Sequence, residues 1–176
     1  MIEILFKAKR KDWKELPREQ WWVEGYYLNI AKINHFICTG KIKLDGAVKG
    51  IIAPEMYEID PDTLCQYTGL NDNTKWEELT ESEKELFLSN WNYQEDRKNK
   101  VEDWNGKKIW EHDILKAHLD ESYPEDITYI KILWNECRFC TNENYSMDIE
   151  TLEKWDAELF QVCGNIFDNP ELLEVE

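Results

Sequence analysis

Two short constellations in this chain have residue types and spacings that could do chemistry. Cys137 and Cys140 stand as Cys-x-x-Cys, the half-site from which zinc centres are built. Glu111 and Asp113 flank His112, with His118 close by. Two carboxylates separated by two along a strand share a face, where they could hold a metal ion or act as an acid/base pair. Neither constellation is complete. A structural zinc site needs a second cysteine pair or two histidines, and Cys65, Cys163, His35, His112 and His118 stand at no ligand spacing from the first pair. An extended backbone over 137–140 would point the two thiols to opposite faces. An aspartate at a turn before an apolar strand ordinarily accepts backbone N–H groups. No serine or cysteine sits in a nucleophile elbow, and the seven glycines form no phosphate cradle. The sequence therefore predicts no catalytic residue, no cofactor-binding residue and no metal ligand, and a protein that is not an enzyme.

The elements around these residues read as short strands. Ile2, Ile4 and Phe6 alternate with Glu3 and Lys7, which predicts a strand with one buried face. A charged connection runs from Lys9 to Gln20. Trp21 to Lys32 predicts a strand that bulges or bends at Gly25. Ile33 to Thr39 predicts a further short strand. Ile42 and Leu44 lead into Asp45-Gly46, a two-residue hairpin signal, with Val48, Ile51 and Ile52 on the return. Met56 to Ile59 is stopped by Asp60-Pro61-Asp62. Strands this closely spaced predict an N-terminal antiparallel β region over residues 1–65.

Residues 71–102 have another character. Thr80 and Glu83 fit a capping box ahead of Leu86, Phe87 and Trp91, predicting a helix over 81–91. After Gly106 the strands resume at Ile109–Ala117, Thr128–Trp134 and Arg138–Thr141. Ile109 and Ile114 fall on opposite parity, which predicts a bulge or tight turn at Glu111-His112-Asp113. Asp148 to Ala157 predicts a short helix, and Leu159 to Phe167 a last strand ended by Asn169-Pro170.

The motifs, taken together, resemble the YopX family of phage and prophage proteins. They are Glu3-Ile4-Leu5-Phe6-Lys7-Ala8, Trp22-Val23-Glu24-Gly25-Tyr26, and Gln66-Tyr67-Thr68-Gly69-Leu70 joined to Asn105-Gly106-Lys107-Lys108-Ile109-Trp110-Glu111. The fourth is the closing stretch from Gly164-Asn165-Ile166-Phe167 through Asp168-Asn169-Pro170 to Leu173. Relatives run the Thr-Gly-Leu piece almost directly into Asn-Gly, so residues 71–102 resemble a helical insertion. Relatives favour glycine where this chain has His112. The resemblance implies a bacterial-virus origin and a C-terminal SH3-like small β-barrel over 66–176, interrupted by the insertion; the fold class is then α+β, mostly β. It implies no activity, because the family's function is unknown, and a fold does not carry function by itself.

Composition bounds the partner. The net charge of −16 is concentrated at the C-terminal end: residues 120–176 carry fifteen acids against three bases, net −12. A surface tracking phosphates is not expected there, and nucleic acid is an unlikely partner despite the basic cluster at Lys7, Lys9, Arg10, Lys11 and Lys14. No apolar export segment follows Met1, and no run approaches the roughly 18 apolar residues of a membrane span. Five cysteines, an odd number, fit reduced thiols. These features predict a cytoplasmic protein with no membrane association. The expected role is binding a protein partner, with Trp76, Leu79, Phe87 and Trp91 on the insertion as the recognition surface. The alternative is acidic mimicry of nucleic acid, aimed at a basic DNA-interacting protein. Self-association between the front and the acidic end is compatible with the same charges.

Overall fold

The structure, a computed structural model, describes residues 4–39, 55–89, 101–118, 122–123, 125–143 and 148–174. The protein is mostly β, with two antiparallel sheets, and divides into two compact units, Met1–Gly69 and Leu70–Glu176. The predicted Asp45-Gly46 hairpin and Trp91 lie outside the described residues.

The first unit contains β1 (Phe6–Lys9), β2 (Trp22–Ile30), β3 (Asn34–Cys38) and β4 (Met56–Glu58). Strand β5 (Cys65–Asn71) begins in it and ends in the second unit. Their order is β4-β3-β2-β1-β5. Ala8, Ile37 and Ile59 form its buried core, with Phe6, Val23, Tyr27 and Leu64 packed against them. The first strand lies further along the chain than the Ile2/Ile4/Phe6 alternation predicts: Ile4 is 56% exposed, and pairing starts at Phe6 opposite Gly25 and Gln66. Of the bulge or bend expected at Gly25 the bulge is absent, since the register with β1 and with β3 is continuous along β2. Gly25 answers a close approach instead. A Cβ there would lie 2.1 Å from the Cys38 carbonyl oxygen, a distance no side chain tolerates.

Much of this unit's aromatic content surrounds one of its own lysines. Lys9 is 3% exposed, and its Nζ lies 4.2 Å from the Trp13 ring centroid, 4.9 Å from Trp21 and 5.5 Å from Trp22. A desolvated ammonium among ring faces gains about 2 kcal/mol or more, which offsets the cost of burying it. These ring faces are thus occupied from within.

The second unit holds α1 (Glu81–Ser89), β6 (Lys108–Trp110), β7 (Asp113–His118), β8 (Ile127–Asn135), β9 (Arg138–Glu143), β10 (Glu150–Thr151), α2 (Lys154–Leu159) and β11 (Gln161–Asn165). The sheet order is β10-β9-β8-β7-β11. Ile109, Leu115, Ile130 and Ile132 from the strands meet Leu152, Ala157 and Phe160 in one buried core. Two expectations are corrected here. Asp148–Ala157 is not helical throughout, because Glu150 and Thr151 pair with Thr141 and Cys140 as β10, and the helix begins at Lys154. Among the described residues neither sheet closes into a barrel. Between the edge strands β10 and β11 the chain instead forms α2, whose Ala157 enters the core. Apolar surface that strand pairing would cover in a barrel is covered by a helix. No helix among the described residues is long and apolar enough to cross a membrane.

Candidate functional site

The residues at Asn105-Gly106-Lys107 are organised by an aspartate that the sequence reading did not single out. Asp72, 4% exposed, accepts four hydrogen bonds. Its Oδ1 takes the N–H of Thr74 at 3.0 Å and of Lys107 at 2.7 Å; its Oδ2 takes the Thr74 hydroxyl at 2.7 Å and the Val162 N–H at 2.7 Å. The Asp72 N–H in turn donates to the Lys107 carbonyl at 2.8 Å. One carboxylate thereby joins the start of the insertion, the chain after it, and β11. Gly106 is required beside it: φ is +97°, and a Cβ would lie 1.8 Å from the Asp72 carbonyl oxygen. The only sequence signal was Asp-x-Thr at a strand end, a local side-chain-to-backbone motif.

Around this joint the insertion packs on itself. Trp76, Phe87 and Trp104 make a triangle of edge-to-face rings with centroids 5.1–5.8 Å apart, and the Trp104 Nε1–H donates to the Thr74 carbonyl at 2.8 Å. Of the four residues predicted as a recognition surface, Trp76 and Phe87 meet in this triangle and Leu79 is buried at 5% exposure. Helix α1 starts at the predicted capping box. Glu83 accepts the Thr80 N–H at 2.8 Å and its own N–H donates to the Thr80 hydroxyl at 3.3 Å. Burial raises the Glu83 carboxyl. The Lys107 ammonium at 2.6 Å and the Thr80 N–H and hydroxyl outweigh that effect and hold it below the usual glutamate value.

The chemistry-bearing residues are placed in structural roles. Asp113, 1% exposed, accepts the Trp110 N–H at 2.9 Å across the Glu111-His112 turn. The predicted turn is present, and His112 adopts φ +68° within it. Its N–H donates to the Ile132 carbonyl and its carbonyl accepts the Ile166 N–H. Its ring stands edge-on to Phe167 at 5.4 Å. Cys137 is exposed in the β8–β9 turn, whereas Cys140 is buried in β9. Burial pushes the Cys163 thiol up to about 11.

A groove lies where α2 crosses the sheet face of β8, β9 and β10. Its concavity of about 240 Å³ has Ile130, Thr141 and Phe160 as its floor and Trp155 and Leu159 as its wall. Trp155 is 57% exposed and Leu159 41%. Glu143, Asp148, Glu150 and Asp156 also line it, with no lysine or arginine among the lining residues. Strand alternation produces this pattern. Along β9 the inward face passes from Thr141 to Glu143 as the strand runs beyond the core. Burial raises the Asp156 carboxyl above the usual range. The Glu153 N–H that it accepts at 2.8 Å opposes this, and the charges of Glu150 and Glu153 add to it.

Residues 99–174 match the family model of the YopX protein. The motif resemblance to the YopX family thus holds over a stretch containing Asn105–Glu111 and the Gly164–Leu173 closing segment. The crystal structure of protein EF1440 from Enterococcus faecalis is also similar, at 20% identity and a TM-score of 0.48 over 99% of this chain and 100% of that one. Comparison with the curated proteins finds no match.

Proposed function

We propose that this YopX-related chain is a phage or prophage protein that acts without catalysis, by binding a protein partner in the bacterial cytoplasm. The observation that carries the reading is the groove of the second unit. It leaves Trp155 and Leu159 open to solvent next to an apolar floor, and tryptophan anchors in concave, partly apolar sites are typical of protein recognition. The absence of chemistry in this reading rests on Asp72, Asp113 and Glu83 being engaged by backbone groups and by a lysine. The second unit is proposed to be a variant of the SH3-like small barrel in which α2 occupies the closing position. The insertion over 71–102 is proposed to vary between relatives and to modulate partner choice.

The test is affinity capture from nuclease-treated bacterial lysate at low and moderate salt. One dominant protein retained at both salts is the expected result. A set of DNA-interacting proteins released by moderate salt would transfer the reading to acidic mimicry of nucleic acid. Recovery of nothing would overturn the binding role.

A further inference from the structure

The groove's chemistry narrows what kind of segment it accepts. Ile130 and Phe160 of its floor and its Trp155–Leu159 wall are apolar, and four carboxylates line it with no base among the described lining residues. An uncharged apolar ligand would cover the floor but leave these carboxylates without a counter-charge beside a site it had dried. An acidic ligand would add repulsion. A cationic ligand without apolar groups would leave Trp155 and Leu159 exposed.

We infer that the groove binds a partner segment presenting an apolar side chain flanked by lysine or arginine, the apolar group against Trp155 and the cations against Glu143 and Glu150. This deepens the protein-binding reading and rests on it. The placement gives each part of the segment a counterpart. Glu150 stands on β10 opposite Thr141, and Glu143 lies two residues further along β9, so both acids line the groove beside Thr141. Burial is the main cause that raises the Asp156 carboxyl, and the charges of Glu150 and Glu153 add to it; an incoming cation would offset the latter part. Arginine or lysine stems also lay methylenes along Trp155 while their heads reach the carboxylates. The surrounding residues 120–176, net −12, steer such a segment towards the site.

The probe is a short fluorescein-labelled peptide alternating lysine with leucine, titrated by anisotropy onto the full chain. Companion peptides carry glutamate for lysine or serine for leucine. We expect saturable binding of the first peptide that weakens with salt, and a loss of about tenfold or more for each companion. Trp155→Ala and the pair Glu143→Gln with Glu150→Gln should each weaken binding by about tenfold. All three positions are exposed, so an unchanged urea midpoint verifies that the variants are folded. Equal binding to the variants, equal binding of the glutamate peptide, or no binding of the lysine–leucine peptide would overturn the assignment. Self-association of the unliganded protein, abolished by the same substitutions, would give the groove to a second copy and overturn it too. The same variants in the lysate capture separate the two levels. A partner captured equally well by the variants sinks the groove assignment and leaves the binding role standing, whereas no capture by the parent protein sinks the role.

Discussion

The Asp72 joint yields the most demanding prediction. Replacing Asp72 by alanine removes the acceptor of three backbone N–H groups, those of Thr74, Lys107 and Val162, and of the Thr74 hydroxyl. Each orphaned buried donor costs about 1–3 kcal/mol. Lys107 and Val162 are only partly buried, so water can recover part of that loss, and we expect Asp72→Ala to destabilise the second unit by about 3–5 kcal/mol in all. Asp72→Asn keeps the shape but turns one acceptor into an NH2 group facing a donor, and should cost about 2 kcal/mol, or roughly thirtyfold in the opening equilibrium. Two assays read this. Urea unfolding followed by tryptophan fluorescence gives the midpoint at constant slope, and native-state amide exchange gives local opening at Lys107 and Val162. Both amides should lose protection in Asp72→Asn, and the exposed Glu77→Ala should leave them alone. A cost below about 1 kcal/mol for Asp72→Ala, with Lys107 and Val162 still protected, would refute the claim that this carboxylate joins the three segments.

Further outcomes follow from single residues. His112 holds φ +68°, a conformation that costs a residue with a Cβ about 1–2 kcal/mol. His112→Gly should therefore be about 1 kcal/mol more stable in urea than His112→Ala, because both lose the Phe167 contact but only glycine relieves the backbone. Equal stability of the two would contradict this. The Glu83 carboxyl is lowered in the folded chain, so its contribution is fully present above the ordinary glutamate value. That contribution is lost as pH falls through the folded one. The urea midpoints of parent and Glu83→Gln should differ at pH 7 and converge as the pH falls through the lowered folded value; a constant gap would be inconsistent with the cap. Cys137, exposed, should react with iodoacetamide at neutral pH, while Cys163, pushed up to about 11, stays largely unmodified in the folded protein. Mass spectrometry of the digested adduct assigns the sites, and comparable labelling of both would contradict the burial argument.

Local chemistry alone determined several features of this protein. The Thr80–Glu83 box, the turn at Glu111–Asp113, the stop after Ile59 and the engagement of Asp113 by backbone all depend on residues within a few positions, and sequence carries that information directly. The YopX motifs at Asn105–Glu111 and Gly164–Leu173 were legible for a related reason: they contain the turns at Gly106 and after Asn165, which only particular residues can make. What depends on distant neighbours was not legible. Gly25 reads as a bulge or bend until the Cys38 carbonyl is seen beside it. The β8–β9 turn puts Glu136 and Cys137 at positive φ with neither glycine nor asparagine at those two positions. Asp72 gains its role from Lys107 and Val162, 35 and 90 positions away. Lys9 reads as a solvated base among other bases, and only the fold surrounds it with Trp13, Trp21 and Trp22. The groove is the clearest case. Its floor comes from β8 and β9 and its wall from α2, and four acids scattered over 143–156 line one concavity only because Ala157 and Phe160 dock that helix into the core. Composition fixed how acidic that region is, but which carboxylates share a site with an exposed tryptophan was decided by tertiary packing.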